Sequence, residues 1–237
     1  MIQRGFPQDL PVRPAHALQL DWRVTQRNLI PIWLPEGVSA DGRWVWFLLR
    51  EPPPLHWTVG GEAECEGRFE LNDRCRVVAR TAPRDDGIDL HLQVTNLTPA
   101  AWSTVRLTVC VQLAAAPDFR DPGLERTWYH TRGGWRKFDP QKTNRSYPGG
   151  CHFYGTDYQP DKSDVDRFEI RVASPCGRWF FSHCFPQATA VAGNCHESFC
   201  CVHSDPVFGP VAPGATGEAR GWIRVRNESV DVPPLGE

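Results

Sequence analysis

Residues 87–96, GIDLHLQVTN, alternate at every step. Ile88, Leu90, Leu92 and Val94 point one way, and Asp89, His91, Gln93 and Thr95 the other. A turn, NLTPAAW, follows, and STVRLTVCVQL alternates again. There Val105, Leu107, Val109, Val111 and Leu113 form the apolar face; Thr104, Arg106, Thr108, Cys110 and Gln112 form the other. Such patterns predict antiparallel strands with one face on a second sheet and one face wet. Further strand-like runs occur at 43–50, 74–80, 167–173, 178–185, 197–203 and 219–226. PCG at 175–177 and APGATGE at 212–218 supply turns. The expectation is an all-β chain: a single-domain antiparallel β-sandwich over residues 1–237.

Residues 117–165 interrupt the alternation. All four tyrosines lie there (Tyr129, Tyr147, Tyr154, Tyr158), as do all three lysines. Trp128, Trp135, Phe138 and Phe153 add aromatic rings; His130, Arg132, Arg136, Arg145 and His152 add polar groups. Disordered segments are poor in aromatics, so the stretch predicts an ordered long loop that either lines a ligand site or folds over the sheet edge on its own aromatic cluster. Its Tyr and Trp rings suit the apolar faces of sugars, and its Arg and His suit hydroxyls or carboxylates.

Composition narrows the classes. The 237 residues include 20 Gly and 22 Pro, which leaves little room for long helices. A net charge of −2 gives no general attraction to nucleic acid or acidic lipid. No apolar run approaches the roughly 20 residues that span a bilayer, and the start, MIQRGFPQDL, lacks the apolar core of an export signal. Nine cysteines with no CxxC pair predict free, mostly buried thiols in a reducing cytoplasm.

The densest chemistry is at 183–205, SHCFPQATAVAGNCHESFCCVHSDP. If the last strand is unbroken, Glu197, Phe199, Cys201, His203 and Asp205 share a face. Trp179, Phe181 and His183 share another. Were these strands a hairpin, His183 and His203 would approach each other, with His196 at the loop's end. Such a cluster suits an acid/base pair, a divalent metal held by His183, His196 and His203, or hydrogen-bonded structural histidines and simple ligand contacts. No HxH, HExxH, GxSxG or phosphate loop occurs, so no cofactor is expected, a divalent metal being the alternative.

Three passages resemble the galactose mutarotase-like sugar-binding β-sandwiches, the aldose 1-epimerases and their lyase relatives. IDLHLQVTNLTPAAWS looks like their strand of the type V-x-V-x-N-L-S-x-x-P. SPCGRWFFSHCFPQATAV is similar to a later aromatic-rich strand, and CCVHSDPVFGPVAPGATGEARGWIRV resembles their closing pattern. The resemblance covers about residues 86–226. It implies a supersandwich with a concave polar face that binds a carbohydrate, as small molecule or oligosaccharide. That face would carry His91, Gln93, Arg106, Thr108 and Gln112, roofed by 117–165. The stretch TVCVQLAAAP offers Gln112 where epimerases have a histidine. Their late acidic residue corresponds to His203 or Asp205.

The function expected is therefore acid/base chemistry on a sugar, as an epimerase or a lyase. His203, His183 and His130 are the candidate proton-transfer groups and Asp205 the group that orients a histidine. Arg132, Trp135, Tyr154, His91, Arg106, Gln112 and Glu197 are the candidate substrate contacts. A non-catalytic sugar-binding module or accessory subunit, and a histidine-based metal enzyme, stand as alternatives.

Overall fold

The structure is a computed structural model, and it describes residues 2–3, 17–48, 50–51, 56–59, 64–139, 145–147, 151–156, 164–198 and 200–228. In chain order the strands are β1 (Ile2–Gln3), β2 (Leu18–Arg23), β3 (Arg27–Ala40), β4 (Arg43–Phe47), β5 (His56–Val59) and β6 (Cys65–Leu71). Next come β7 (Cys75–Arg84), β8 (Gly87–Asn96), β9 (Val105–Gln112), β10 (Thr127–Thr131), β11 (Gly134–Lys137) and β12 (Arg145–Tyr147). The last are β13 (Cys151–Gly155), β14 (Val165–Ala173), β15 (Trp179–Cys184), β16 (Ala188–Asn194), β17 (Cys201–Phe208) and β18 (Thr216–Asn227).

These strands form two antiparallel sheets. The first runs β1-β2-β3-β9-β17-β16-β13-β12, with β4 also paired to β3. The second runs β11-β10-β14-β15-β18-β8-β7-β6-β5. Burying one apolar face per sheet is what packs them together. Val105, Leu107, Val109 and Val111 of β9 meet, across the layer, Ile88, Leu90, Leu92 and Val94 of β8 and Ile223 of β18, all at most 2% exposed. The alternation read from the sequence thus assigns the inner faces correctly. Among the described residues no helix is long and apolar enough to cross a membrane.

Two expectations change. The strands at 87–96 and 105–112 do not share a sheet. β8 pairs with β7 and β18, while β9 pairs with β3 and β17. The chain between them crosses from one sheet to the other. Asn96 anchors that crossing: its side-chain amide donates to the carbonyls of Ala100 and Val211. The second change concerns 117–165, which is not one long loop. It supplies β10 and β11 to the edge of the second sheet and β12 and β13 to the edge of the first. Its aromatic content suits strands as well as a loop. Tyr158, Lys142 and Lys162 lie outside the described residues.

Candidate functional site

The outer face of the first sheet is where titratable groups converge. Its central strand β9 loses its regular ladder at one residue. On the β3 side Trp33 pairs with Cys110 and Gly37 with Thr108, so Leu34, Pro35 and Glu36 bulge opposite Val109. On the β17 side Val202 pairs with Val111 and Val207 with Arg106, and the strands part between those pairs. The Asp205 carboxylate enters that gap and accepts the Val109 N–H at 2.9 Å. Bulges of this kind re-aim side chains. Here the bulge brings Glu36, almost fully buried, into the field of the β17 side chains.

Alternation then sets Cys201, His203 and Asp205 in a row on β17. The Sγ of Cys201 and Nε2 of His203 are 3.2 Å apart. On the other side of the ring, Nδ1 is 3.6 Å from the Asp205 carboxylate. Cys110, from β9, brings a second sulfur: Cys110, Cys201 and His203 each place a ligand-capable atom within 4.8 Å of the other two. The three side chains are at most 4% exposed. Phe153 of β13 lies edge-on to the His203 ring, with centroids 5.1 Å apart.

Burial and charge shape their protonation. A hydrogen bond from the Cys110 thiol lowers the Cys201 pKa; burial opposes this, and the charge on His203 and a hydrogen bond from Asn194 reinforce it. Cys110 is correspondingly pushed far up, first by burial. Burial works against charge on His203, yet Cys201 and Asp205 together hold its pKa well above the usual value. Glu36 is raised to about 8 by burial, a rise that the nearby His203 tempers. Cys201 and His203 thus favour charge on each other, with a carboxylate behind the ring and Glu36, which burial pushes towards its neutral form, beside it.

Most of the other expected site residues lie elsewhere. His183 is wholly buried in the core between the sheets, because it shares its face with Trp179 and Phe181. Its Nδ1 is 3.4 Å from the Trp222 carbonyl, and Nε2 has no hydrogen-bond partner among the described residues. Burial pushes its pKa down to about 4. β15 and β17 are not a hairpin, since the segment between them forms β16 and pairs with β17. His196 sits on the following turn, where its Nδ1 accepts the Ser198 N–H at 3.1 Å. The trio His183, His196 and His203 therefore does not converge.

Glu197 is likewise off the row. Cys200 takes a φ of 41°, which turns the chain before β17 begins. Glu197 points outward and pairs with Arg120. Phe199 lies outside the described residues. Tyr154 is buried in the core opposite Gly193. Arg106 and Gln112 do lie on the outer face with Cys110, Gln112 nearly buried and Arg106 towards the far end, 3.5 Å from Thr189.

His91 is on the other sheet and 3.0 Å from Glu218. It borders a cleft of about 770 Å³ that also takes in Glu66, Arg80, Arg84, Asp89 and Trp222. Cross-strand ion pairs Arg80–Glu66 (2.7 Å) and Arg84–Asp89 (2.6 Å) neutralise that surface. His130 and Trp135 form a third group at the edge of the second sheet. His130 Nδ1 is 2.5 Å from Asp166, and Arg171 stacks 4.0 Å above the Trp135 ring. Arg132, beside them, donates its backbone N–H to Asp164. The expected single face carrying His91 together with Arg106 and Gln112 is thus two faces on opposite sides of the sandwich.

Sequence reasoning missed Cys110 and Glu36. Cys110 was visible on the polar side of the β9 alternation. Glu36 was visible as the one acid within the largely apolar run NLIPIWLPEGVSA.

No protein-family profile and no curated protein matches this sequence. Solved structures do. The Slr1438 protein of Synechocystis sp. PCC 6803 aligns at 12% identity and a TM-score of 0.53, over 90% of this chain and 89% of its own. A galactose mutarotase related enzyme from Lactobacillus acidophilus aligns at 8% and 0.52, over 92% and 93%. A candidate aldose 1-epimerase of Escherichia coli K12 aligns at 12% and 0.51, over 90% and 97%. The fold is that of the galactose mutarotase-like β-sandwiches. At such identities the likeness is one of architecture.

Proposed function

We propose that this chain is a carbohydrate-active enzyme that moves a proton on a sugar, as an epimerase or lyase does, at the outer face of the first sheet. The observation that supports this most is the row Asp205–His203–Cys201. A histidine with a carboxylate at Nδ1 and a labile partner at Nε2 has its ring orientation set and can give or take a proton at one defined atom. Gln112, nearly buried on the same face, is suited to a sugar hydroxyl. Phe153, edge-on to His203 with centroids 5.1 Å apart, supplies an aromatic ring on this face of the kind that stacks on sugars. Similarity to the mutarotase-named structures agrees with a sugar ligand.

The test is anomer interconversion of a panel of aldoses followed by NMR, with unsaturated products of sugar-acid elimination followed by absorbance. The metal-free chain should turn over at least one of them. His203→Gln should lower the rate by about 100-fold or more, while His196→Ala should leave it unchanged. Binding without turnover points instead to a sugar-binding module. Full activity in His203→Gln, or no binding to any sugar class, overturns the reading.

A further inference from the structure

We infer that Cys110, Cys201 and His203 form a binding site for a zinc-class transition metal ion, held by two sulfurs and one imidazole. Three features carry the inference. The donor atoms come from two adjacent strands and lie within 4.8 Å of one another. Tetrahedral zinc with ordinary Zn–S and Zn–N bonds needs donors about 3.5–3.8 Å apart, and Cys201 and His203 already stand 3.2 Å apart. A shift of under about 1 Å would therefore seat the ion.

The donor set is also chemically selective. Two thiolates and an imidazole suit zinc and its softer neighbours, and do not suit calcium or magnesium. The third feature is the surroundings. Asp205 stands behind the ring at Nδ1, 3.6 Å away, the side on which metal-bound imidazoles commonly have a carboxylate partner. Its position is itself fixed by the Val109 N–H. Among the described residues no other group of three ligand-capable side chains converges in this way. Cys75 and Cys184 are buried in other parts of the sandwich, on β7 and β15.

The inference goes beyond the proton-transfer reading and separates from it. An ion on Nε2 leaves His203 no proton to exchange there, so loading would switch the proposed acid/base chemistry off. Metal content is measured without reference to any substrate.

The experiment uses the full chain, purified without a polyhistidine tag, incubated with zinc chloride and dialysed. Elemental analysis should find about one equivalent of zinc. Cobalt in its place should show a thiolate-to-metal charge-transfer band and the visible absorption of a tetrahedral ion. Cys110→Ser, Cys201→Ser and His203→Gln should each lose zinc to below about a tenth of an equivalent, and Cys195→Ser should keep it. Circular dichroism identifies any variant that fails to fold. A chelating dye, titrated against the unmutated chain, measures affinity independently of the variants. Less than about a tenth of an equivalent in the unmutated chain, or zinc kept by folded Cys201→Ser and His203→Gln, overturns the site. Sugar turnover in the metal-free chain with no metal uptake would leave the acid/base reading standing alone.

Discussion

The Sγ of Cys201 and the Nε2 of His203 are 3.2 Å apart, two residues from each other on one strand and both all but sealed from solvent. Removing one member of a buried charged pair strands the other, which costs about 3–5 kcal/mol. Cys201→Ala and His203→Leu should each destabilise by about that amount. The double variant should cost less than the two together by about 1–3 kcal/mol. Urea unfolding with a chelator present measures all four corners of the cycle. Strict additivity would show that the two groups are not coupled.

Ser204, next along β17, bridges the two sheets. Its hydroxyl donates to the Phe168 carbonyl at 2.7 Å and accepts the Phe185 N–H at 2.8 Å. It is fully buried, so Ser204→Ala leaves a donor and an acceptor without water or protein partners. The expected loss is about 2–3 kcal/mol. A change under about 0.5 kcal/mol in guanidinium unfolding would mean the sheets do not depend on this link.

Cys176 joins exposure to a lowered pKa, as no other described cysteine does. It is exposed, and a hydrogen bond with Ser174, helped by Arg178, lowers its pKa to about 7. Burial holds Cys75, Cys184 and Cys200 near 12. Thiolate is the reactive form, so one rapid equivalent of maleimide or iodoacetamide should react at neutral pH. Peptide mapping should place it on Cys176, and Cys176→Ser should abolish the rapid phase. Rapid labelling elsewhere contradicts the assignment.

His183 should make its mark on acid stability rather than on catalysis. Its pKa is pushed down to about 4 by burial; the Trp222 carbonyl and Asp205 oppose that, and His203 adds to it. The unfolded chain takes up a proton below about pH 6.5, which the folded His183 refuses until about pH 4. The unfolded state binds more protons in that window, so stability falls as pH drops through it. His183→Phe should flatten this part of the profile relative to the unmutated chain, with turnover unchanged. Parallel profiles in urea would refute the assignment.

Much of this was legible in the residues, and the limits were physical. Alternation in β8 and β9 fixed which side chains face the core, because side-chain direction is a local property of a strand. It did not fix which strands pair, since Ile88 and Val105 look alike whichever sheet they join. The same rule placed Cys201, His203 and Asp205 on one face, and the site row was to that extent readable. Glu197 was lost from it because the φ of 41° at Cys200 has no sequence signal. His183 had one: its face carries Trp179 and Phe181, which marks it as core. Cys110 and Glu36 reach the row through long-range pairing of β3, β9 and β17, which local pattern does not encode.

The place of β18 has a consequence for synthesis. It lies between β15 and β8 in the second sheet, and it is translated after every other strand described. Until it emerges from the ribosome, β5–β8 and the group β10, β11, β14 and β15 are two half-sheets with no shared hydrogen bonds. Each half carries an apolar face and an unpaired edge, the features that invite wrong partners. Translation must therefore run through residue 227 before the nascent chain can seal its core, and chaperones would be needed most just before that point.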